Sequence, residues 1–191
     1  MFSADRLLFR LFAAAVVFIA MLSSAHASVV RYDDEVTASG MNQLIAKVAR
    51  LSNAGDRNIT VSLNSGGGDL IAALNANRQL KQYRVNTSAS DDCSSACTVI
   101  FAAGVNRSAS SSTTFLFHAV HVSKKSPKLF SSGLSSSSQD DYVTKYANLW
   151  LAAVRAASPS FAGQLQRENT LTRGSREYTG SSLRKFGFVN N

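Results

Sequence analysis

Asn58-Ile59-Thr60-Val61-Ser62-Leu63-Asn64-Ser65-Gly66-Gly67-Gly68-Asp69-Leu70-Ile71-Ala72-Ala73-Leu74 changes period in its middle. Before the glycines, Ile59, Val61 and Leu63 alternate with polar residues, the pattern of a strand with one buried face. After them, Leu70, Ala73, Leu74 and Leu80 recur at helical spacing, which predicts an amphipathic helix over 69–80. Strand, glycine turn and helix make one β/α unit, and the same rhythm extends both ways. Upstream, Leu44, Ile45, Val48 and Leu51 predict a helix over 41–51, closed by Gly55. Downstream come a short strand at 83–87, a helix at 95–103 and a strand at 113–122 rich in β-branched and aromatic residues. Repeated β/α alternation with short connections predicts a layered α/β domain with a largely parallel sheet.

The rhythm breaks at 123–139, where serine runs with Pro127 and Gly133 lack the apolar content to pack and read as an excursion, a candidate flap. Tyr142, Tyr146, Leu149, Trp150 and Val154 then lie along one side of a helix over 140–157. Ser158-Pro159-Ser160 opens the next helix, which carries Phe161 and Leu165. A short helix at 181–186 and a final strand at Phe188-Val189 close the chain, and no internal repeat is present.

At the N-terminus, Arg6 and Arg10 precede a short apolar run over 11–22 and the small-x-small sequence Ala25-His26-Ala27. This is the pattern of a secretory signal peptide over 1–27, cleaved after Ala27, which predicts a periplasmic or secreted protein. The run falls short of the roughly 20 residues that a membrane span needs, so no span is expected after cleavage. Residues 28–191 suffice for one domain with its own core. The 20 Lys and Arg outweigh the 12 Asp and Glu, for a net charge of +8. Nucleic acid is the obvious partner of a basic chain, but the positive residues form no stripe, and the one tight group is Lys124, Lys125 and Lys128. A solvated basic surface is the expectation, with no nucleic-acid face.

The glycine turn leaves backbone N–H groups free to meet a phosphate or an oxyanion. No Gly-Lys-Ser/Thr follows, and Ile71 stands where a dinucleotide fingerprint needs its third glycine, so an oxyanion site remains. A second small-residue turn, Asp92-Cys93-Ser94-Ser95-Ala96-Cys97, places serines at the start of an apolar helix. With Ser94 as the cap, Ser95 falls on the first helical residue, its hydroxyl free to act as a nucleophile. His118 and His121 are the candidate bases. They differ by an odd number, so a regular strand turns only one of them toward the serine. Cys93 and Cys97 are the only cysteines. On a regular helix residues four apart are too distant for a disulfide, so a bridge requires Cys93 in the turn before the helix, where it would brace the backbone around Ser95. Otherwise the two pack as small thiols. Two cysteines without histidines in ligand spacing predict no metal site.

Taken in order, Asn64-Ser65-Gly66-Gly67-Gly68, Cys93-Ser94-Ser95-Ala96-Cys97, Ala102-Ala103-Gly104 and Phe115-Leu116-Phe117-His118 resemble the motifs of the Clp protease proteolytic subunit, in the crotonase-like superfamily, and most of all its exported serine hydrolases. The resemblance spans about residues 58–189. It implies a repeated β/α spiral with a largely parallel sheet and C-terminal helices, no cofactor, and a serine peptidase. Ser95 is its implied nucleophile, His118 its base, and the N–H groups of Gly68 and Ala96 its oxyanion donors. Gly66 replaces the family proline. Where the family carries the third triad member, an aspartate, this chain reads Gly174-Ser175-Arg176-Glu177-Tyr178, which leaves Glu177 as the candidate; otherwise a backbone carbonyl or a hydroxyl orients His118. The family's peptide and unfolded-protein substrates carry over, and its ring assemblies imply a homo-oligomer. A related family uses a Ser-Lys dyad, for which Lys145 is the candidate, and a non-catalytic binding or assembly module of the same fold is the third reading.

Overall fold

The computed structural model describes residues 27–121 and 136–191. The proposed signal segment, apart from Ala27, and most of the serine-rich excursion therefore lie outside the described residues. The elements run β1 (Val29–Tyr32), α1 (Ala38–Asn53), β2 (Thr60–Ser65), α2 (Leu70–Gln82), β3 (Asn86–Cys93), α3 (Ala96–Phe101), β4 (Arg107–Ala109), β5 (Thr114–His118), α4 (Ser136–Ala157), α5 (Pro159–Arg167), β6 (Ser175–Thr179) and α6 (Gly180–Arg184). The fold is α/β, with a mostly parallel mixed sheet in the order β1-β2-β3-β5-β6 and β4 pairing with β3 off that path.

Side-chain caps set several helix starts. Thr37 accepts from the Gly40 N–H before α1, Asp69 from Ile71 and Ala72 before α2, and Ser158 from Phe161 before α5, where Pro159 occupies the first turn. The apolar stripe of α1 buries Met41, Leu44 and Val48. Helix α1 packs on α2, α2 on α3 and α4, and α4 on α5. Phe101, Phe115, Phe117, Phe161 and Phe188 interlock beneath β5 at centroid separations of 5.1 to 6.4 Å, most of them edge-on or tilted.

Strand β3 is shared unequally. Its first half, Thr87 to Ala89, pairs with β4, whereas Asp92 pairs with Thr114 of β5. On its other side it pairs with β2 from Thr60↔Asn86 onward, and the register slips between Leu63 and Ser65, so that Ser65 faces Cys93. Such a slip bends a strand and re-aims the residues beyond it. Here it delivers the glycine turn and the serine turn to the same end of the sheet.

Three strands escape the sequence patterns. β1 and β4 are four and three residues long, and β6 lies along the exposed edge against β5. The third expected strand is shorter than the pattern suggested and ends at His118. Phe188 and Val189 are buried as expected but form no strand. Arg107, 6% exposed, explains the difference. Its guanidinium donates to the carbonyls of Gly104, Val105, Ala157, Gly187 and Phe188, so the C-terminal carbonyls bond to a side chain and not to a ladder.

Candidate active site

Ser95 sits where β3 turns into α3 with φ 54° and ψ −124°, a backbone conformation that costs a non-glycine residue about 1–3 kcal/mol. Its surroundings over-determine that conformation. The Ser95 N–H donates to the Leu116 carbonyl at 2.7 Å, and the Ser95 carbonyl accepts from both the N–H and the hydroxyl of Thr98, at 3.0 and 2.8 Å. Ser94 N–H donates to the Ser65 carbonyl at 2.9 Å. Cys93 and Cys97 are joined in a disulfide, with Cα atoms 5.2 Å apart. They stand two residues either side of Ser95, the places that glycines hold in the strand-turn-serine-turn-helix elbow of many hydrolases. Cys93 closes β3 and lies outside the helix, so the bridge is reachable.

Ser94 is not the cap that the sequence suggested. Its hydroxyl donates to Asp92 at 2.6 Å, and α3 has no side-chain cap. The hydroxyl of Ser95, which takes the cap position, goes instead to the Nε2 of His118 at 2.7 Å. His118 Nδ1 lies 2.8 Å from the carbonyl of Ala119, an oxygen that can only accept. In the neutral ring the proton is therefore on Nδ1, Nε2 presents its lone pair, and Ser95 is the donor. That is the tautomer a general base needs.

Glu177, the sequence candidate for orienting His118, is exposed on β6 opposite Leu116, and Ser175 is the residue paired with His118. The bond to Nδ1 comes from Ala119, so a backbone oxygen holds the place where Glu177 was expected. A backbone carbonyl was the alternative expectation, but a carbonyl has no letter of its own, so the sequence could not say that Ala119 supplies it. His121 follows the end of the strand, so strand parity does not govern it. Its ring lies 5.4 Å from that of His118, and its Nδ1 is 3.3 Å from the same Ala119 carbonyl. Lys145 is exposed on α4 with its ammonium 5.7 Å over the Tyr146 ring and is not among the residues that line the cleft.

Two backbone donors complete the group. Gly67 lies directly against Ser95: a Cβ built on it would stand 2.6 Å from the Ser95 Cβ and 2.9 Å from the Ala96 nitrogen. Val36 brackets the next glycine, its N–H on the Gly67 carbonyl and its carbonyl on the Asp69 N–H, both at 2.7 Å. Among the described residues, the N–H groups of Gly68 and Ala96 donate to no protein acceptor. Ala96 follows the serine in the chain, and Gly68 lines with Ser95, His118, His121, Tyr142 and Trp150 among others a cleft of about 1000 Å³. Burial, reinforced by Tyr146 and Asp69, pushes the Tyr142 hydroxyl above its ordinary pKa, which keeps it neutral. The same cleft is lined by Asp33, Asp34, Glu35, Asp69 and Asp92, five of the chain's 12 acidic residues, and by no described lysine or arginine.

Trp150 is the residue that the sequence reading left in the core without a role at the site. It is buried, and its ring meets that of His118 at 5.9 Å and 89°. A lone tryptophan on an amphipathic helix carries no signal beyond burial. No protein-family model matches the chain, and no curated protein matches it.

Proposed function

We propose that the protein is a serine hydrolase, a peptidase that works by acyl transfer, on the β/α spiral of Clp protease-like members of the crotonase-like superfamily. The observation that carries the reading is the 2.7 Å contact between a serine hydroxyl on a strained elbow and an imidazole whose tautomer is set by a carbonyl on its far nitrogen. In this mechanism the Ser95 oxygen attacks the substrate carbonyl carbon while its proton passes to Nε2 of His118. The carbonyl oxygen becomes an oxyanion held by the N–H groups of Gly68 and Ala96, each contributing about 10²-fold in rate. The C–N bond breaks as His118 returns the proton to the leaving amine. Water, activated by His118, then cleaves the acyl-serine. Ala119 fixes the imidazole without supplying a full negative charge, so the imidazolium that forms is supported less than it would be beside a carboxylate.

Peptide is the favoured substrate, and the charge of the cleft narrows it. A carboxylate-rich lining in a chain of net charge +8 favours segments with lysine or arginine near the scissile bond. Residues 1–27 are proposed as an export signal, which makes Ser28 the mature N-terminus, and the Cys93–Cys97 disulfide suits an oxidising compartment. Short or unfolded peptides fit an exported enzyme better than folded proteins delivered by an ATP-driven partner, and a homo-oligomer remains part of the proposal through the family resemblance.

The test is covalent labelling of the mature protein by a fluorophosphonate probe. Wild type labels, Ser95→Ala does not, His118→Ala slows labelling by about 10²-fold or more, and Lys145→Ala labels as wild type does. Folded wild type that does not label, or labelling that survives Ser95→Ala, refutes the proposal.

A further inference from the structure

The site has a base without a carboxylate behind it. The carbonyl that holds Nδ1 belongs to Ala119, the next residue in the chain, whose own N–H is tied to the Gly174 carbonyl at 2.8 Å, so it fixes the ring at one nitrogen. A contact with the ring itself comes from another element. Trp150, on α4 and 1% exposed, supplies that contact and reaches both partners of the Ser95–His118 pair. Its ring stands edge-to-face with the imidazole, at 5.9 Å and 89°. Its indole N–H donates to the hydroxyl of Thr98 at 3.0 Å, and that hydroxyl donates in turn to the Ser95 carbonyl at 2.8 Å. The direction of this chain is fixed. An indole N–H can only donate, so it takes a lone pair of Thr98, and the single hydroxyl proton is left for Ser95. Thr98 is fully buried, so no water competes for either bond.

We propose that Trp150 is a positioning residue, holding the His118 ring against rotation and, through Thr98, holding the elbow carbonyl of Ser95, so that nucleophile and base are aligned from one helix. This rests on the reading of Ser95 and His118 as nucleophile and base. It extends that reading by assigning to an aromatic side chain and a hydroxyl the orienting work that a buried carboxylate performs in a complete triad.

The experiment resolves fluorophosphonate labelling into its saturation constant KI and its maximal rate kinact, for wild type, Ser95→Ala, Trp150→Phe, Thr98→Val and Thr98→Ser. Folding of each is checked by circular dichroism and melting. Trp150→Phe keeps a ring and removes the N–H; Thr98→Val removes the relay and keeps the shape. Each lowers kinact about tenfold with KI changed less than about twofold, since misalignment acts on the chemical step more than on binding. Thr98→Ser, which retains the hydroxyl, recovers most of the rate. A purely structural role would lower the melting temperature and leave kinact of the folded protein at the wild-type value, and that result overturns the proposal. Should Trp150→Phe not fold, the Thr98 pair decides: equal kinact in Thr98→Val and Thr98→Ser overturns it as well. Failure of the catalytic reading is a separate outcome, seen as unlabelled wild type or labelled Ser95→Ala.

Discussion

Two neighbouring glycines respond in opposite directions to the same substitution. Gly67 has φ +97°, and a Cβ on it would meet the Ser95 Cβ at 2.6 Å, the Ser94 carbonyl oxygen at 2.7 Å and the Ala96 nitrogen at 2.9 Å. Those neighbours are backbone or lie next to it, on an elbow already tied by a disulfide, so they have little room to give. Gly67→Ala incurs about 1–2 kcal/mol for a side chain in the left-handed region and about 1–3 kcal/mol of overpacking. Reduced freedom of the unfolded chain offsets about 0.4–1 kcal/mol. The net loss is about 1–5 kcal/mol, or about 2–18 °C in melting temperature for a domain of this size. Gly66 is exposed, its φ lies outside the left-handed region, and a Cβ there meets nothing within 4 Å. Gly66→Ala therefore retains only the unfolded-state term and stabilises by about 0.4–1 kcal/mol. Thermal and urea unfolding of the two variants beside wild type measure both signs. Gly67→Ala also displaces Ser95 and the Ala96 N–H, so its labelling by a fluorophosphonate falls further than its stability, whereas Gly66→Ala labels normally. A Gly67→Ala protein that melts within about 2 °C of wild type would refute the packing argument.

Arg107→Met leaves five backbone carbonyls without their donor inside the protein and lowers stability by about 3 kcal/mol or more in urea unfolding, with labelling of the folded fraction unchanged. The double change Cys93→Ser with Cys97→Ser removes a five-residue loop constraint, costs about 2 kcal/mol and slows Ser95 labelling about tenfold, as does reduction of wild type. The hydrogen bond from Tyr178, more than any other contact, holds the Glu168 carboxyl below its ordinary value of 4.5, and burial followed by Glu168 itself pushes the tyrosine up. A lowered acid pKa stabilises above its unfolded value and ceases to do so as pH falls through the folded one. Tyr178→Phe is therefore less stable than wild type at pH 7 by about 1–2 kcal/mol, and the gap narrows below about pH 4.5 in melting curves taken across pH. Cleavage of peptides with lysine beside the scissile bond exceeds that of their glutamate counterparts by about tenfold at low salt, and the preference fades as ionic strength rises.

Much of the architecture was legible because hydrophobic period changes abruptly at the glycine turn, but the strand expected at 83–87 is β3 at Asn86–Cys93, a polar run with no apolar alternation to read. The strands that were missed are short or lie at an edge, where alternation has too few residues to register. Ser95 was legible as a residue and misassigned in position. The expectation gave the cap to Ser94, but Asp92 two residues upstream captured that hydroxyl, and local competition of this kind has no periodic signature. The pairing of Ser95 with His118 joins residues 23 apart and came from family resemblance, not from spacing. Ala119 and Trp150 were illegible for different reasons. One acts through its main chain, and the other through a ring whose neighbours are set only when α4 docks.

The unequal sharing of β3 divides the chain's chemistry in time as well as in space. The serine turn and the N–H groups of Gly68 and Ala96 come from residues 29–109, while His118, Trp150 and the Leu116 carbonyl that holds the Ser95 N–H come from beyond that point. A ribosome has emitted the serine before α4 exists, and the ladder between β5 and β3 is the pair Asp92 and Thr114. A partly made chain thus holds a serine with no proton acceptor. On the proposed mechanism such a chain cannot cleave until β5 has paired with β3 and α4 has docked.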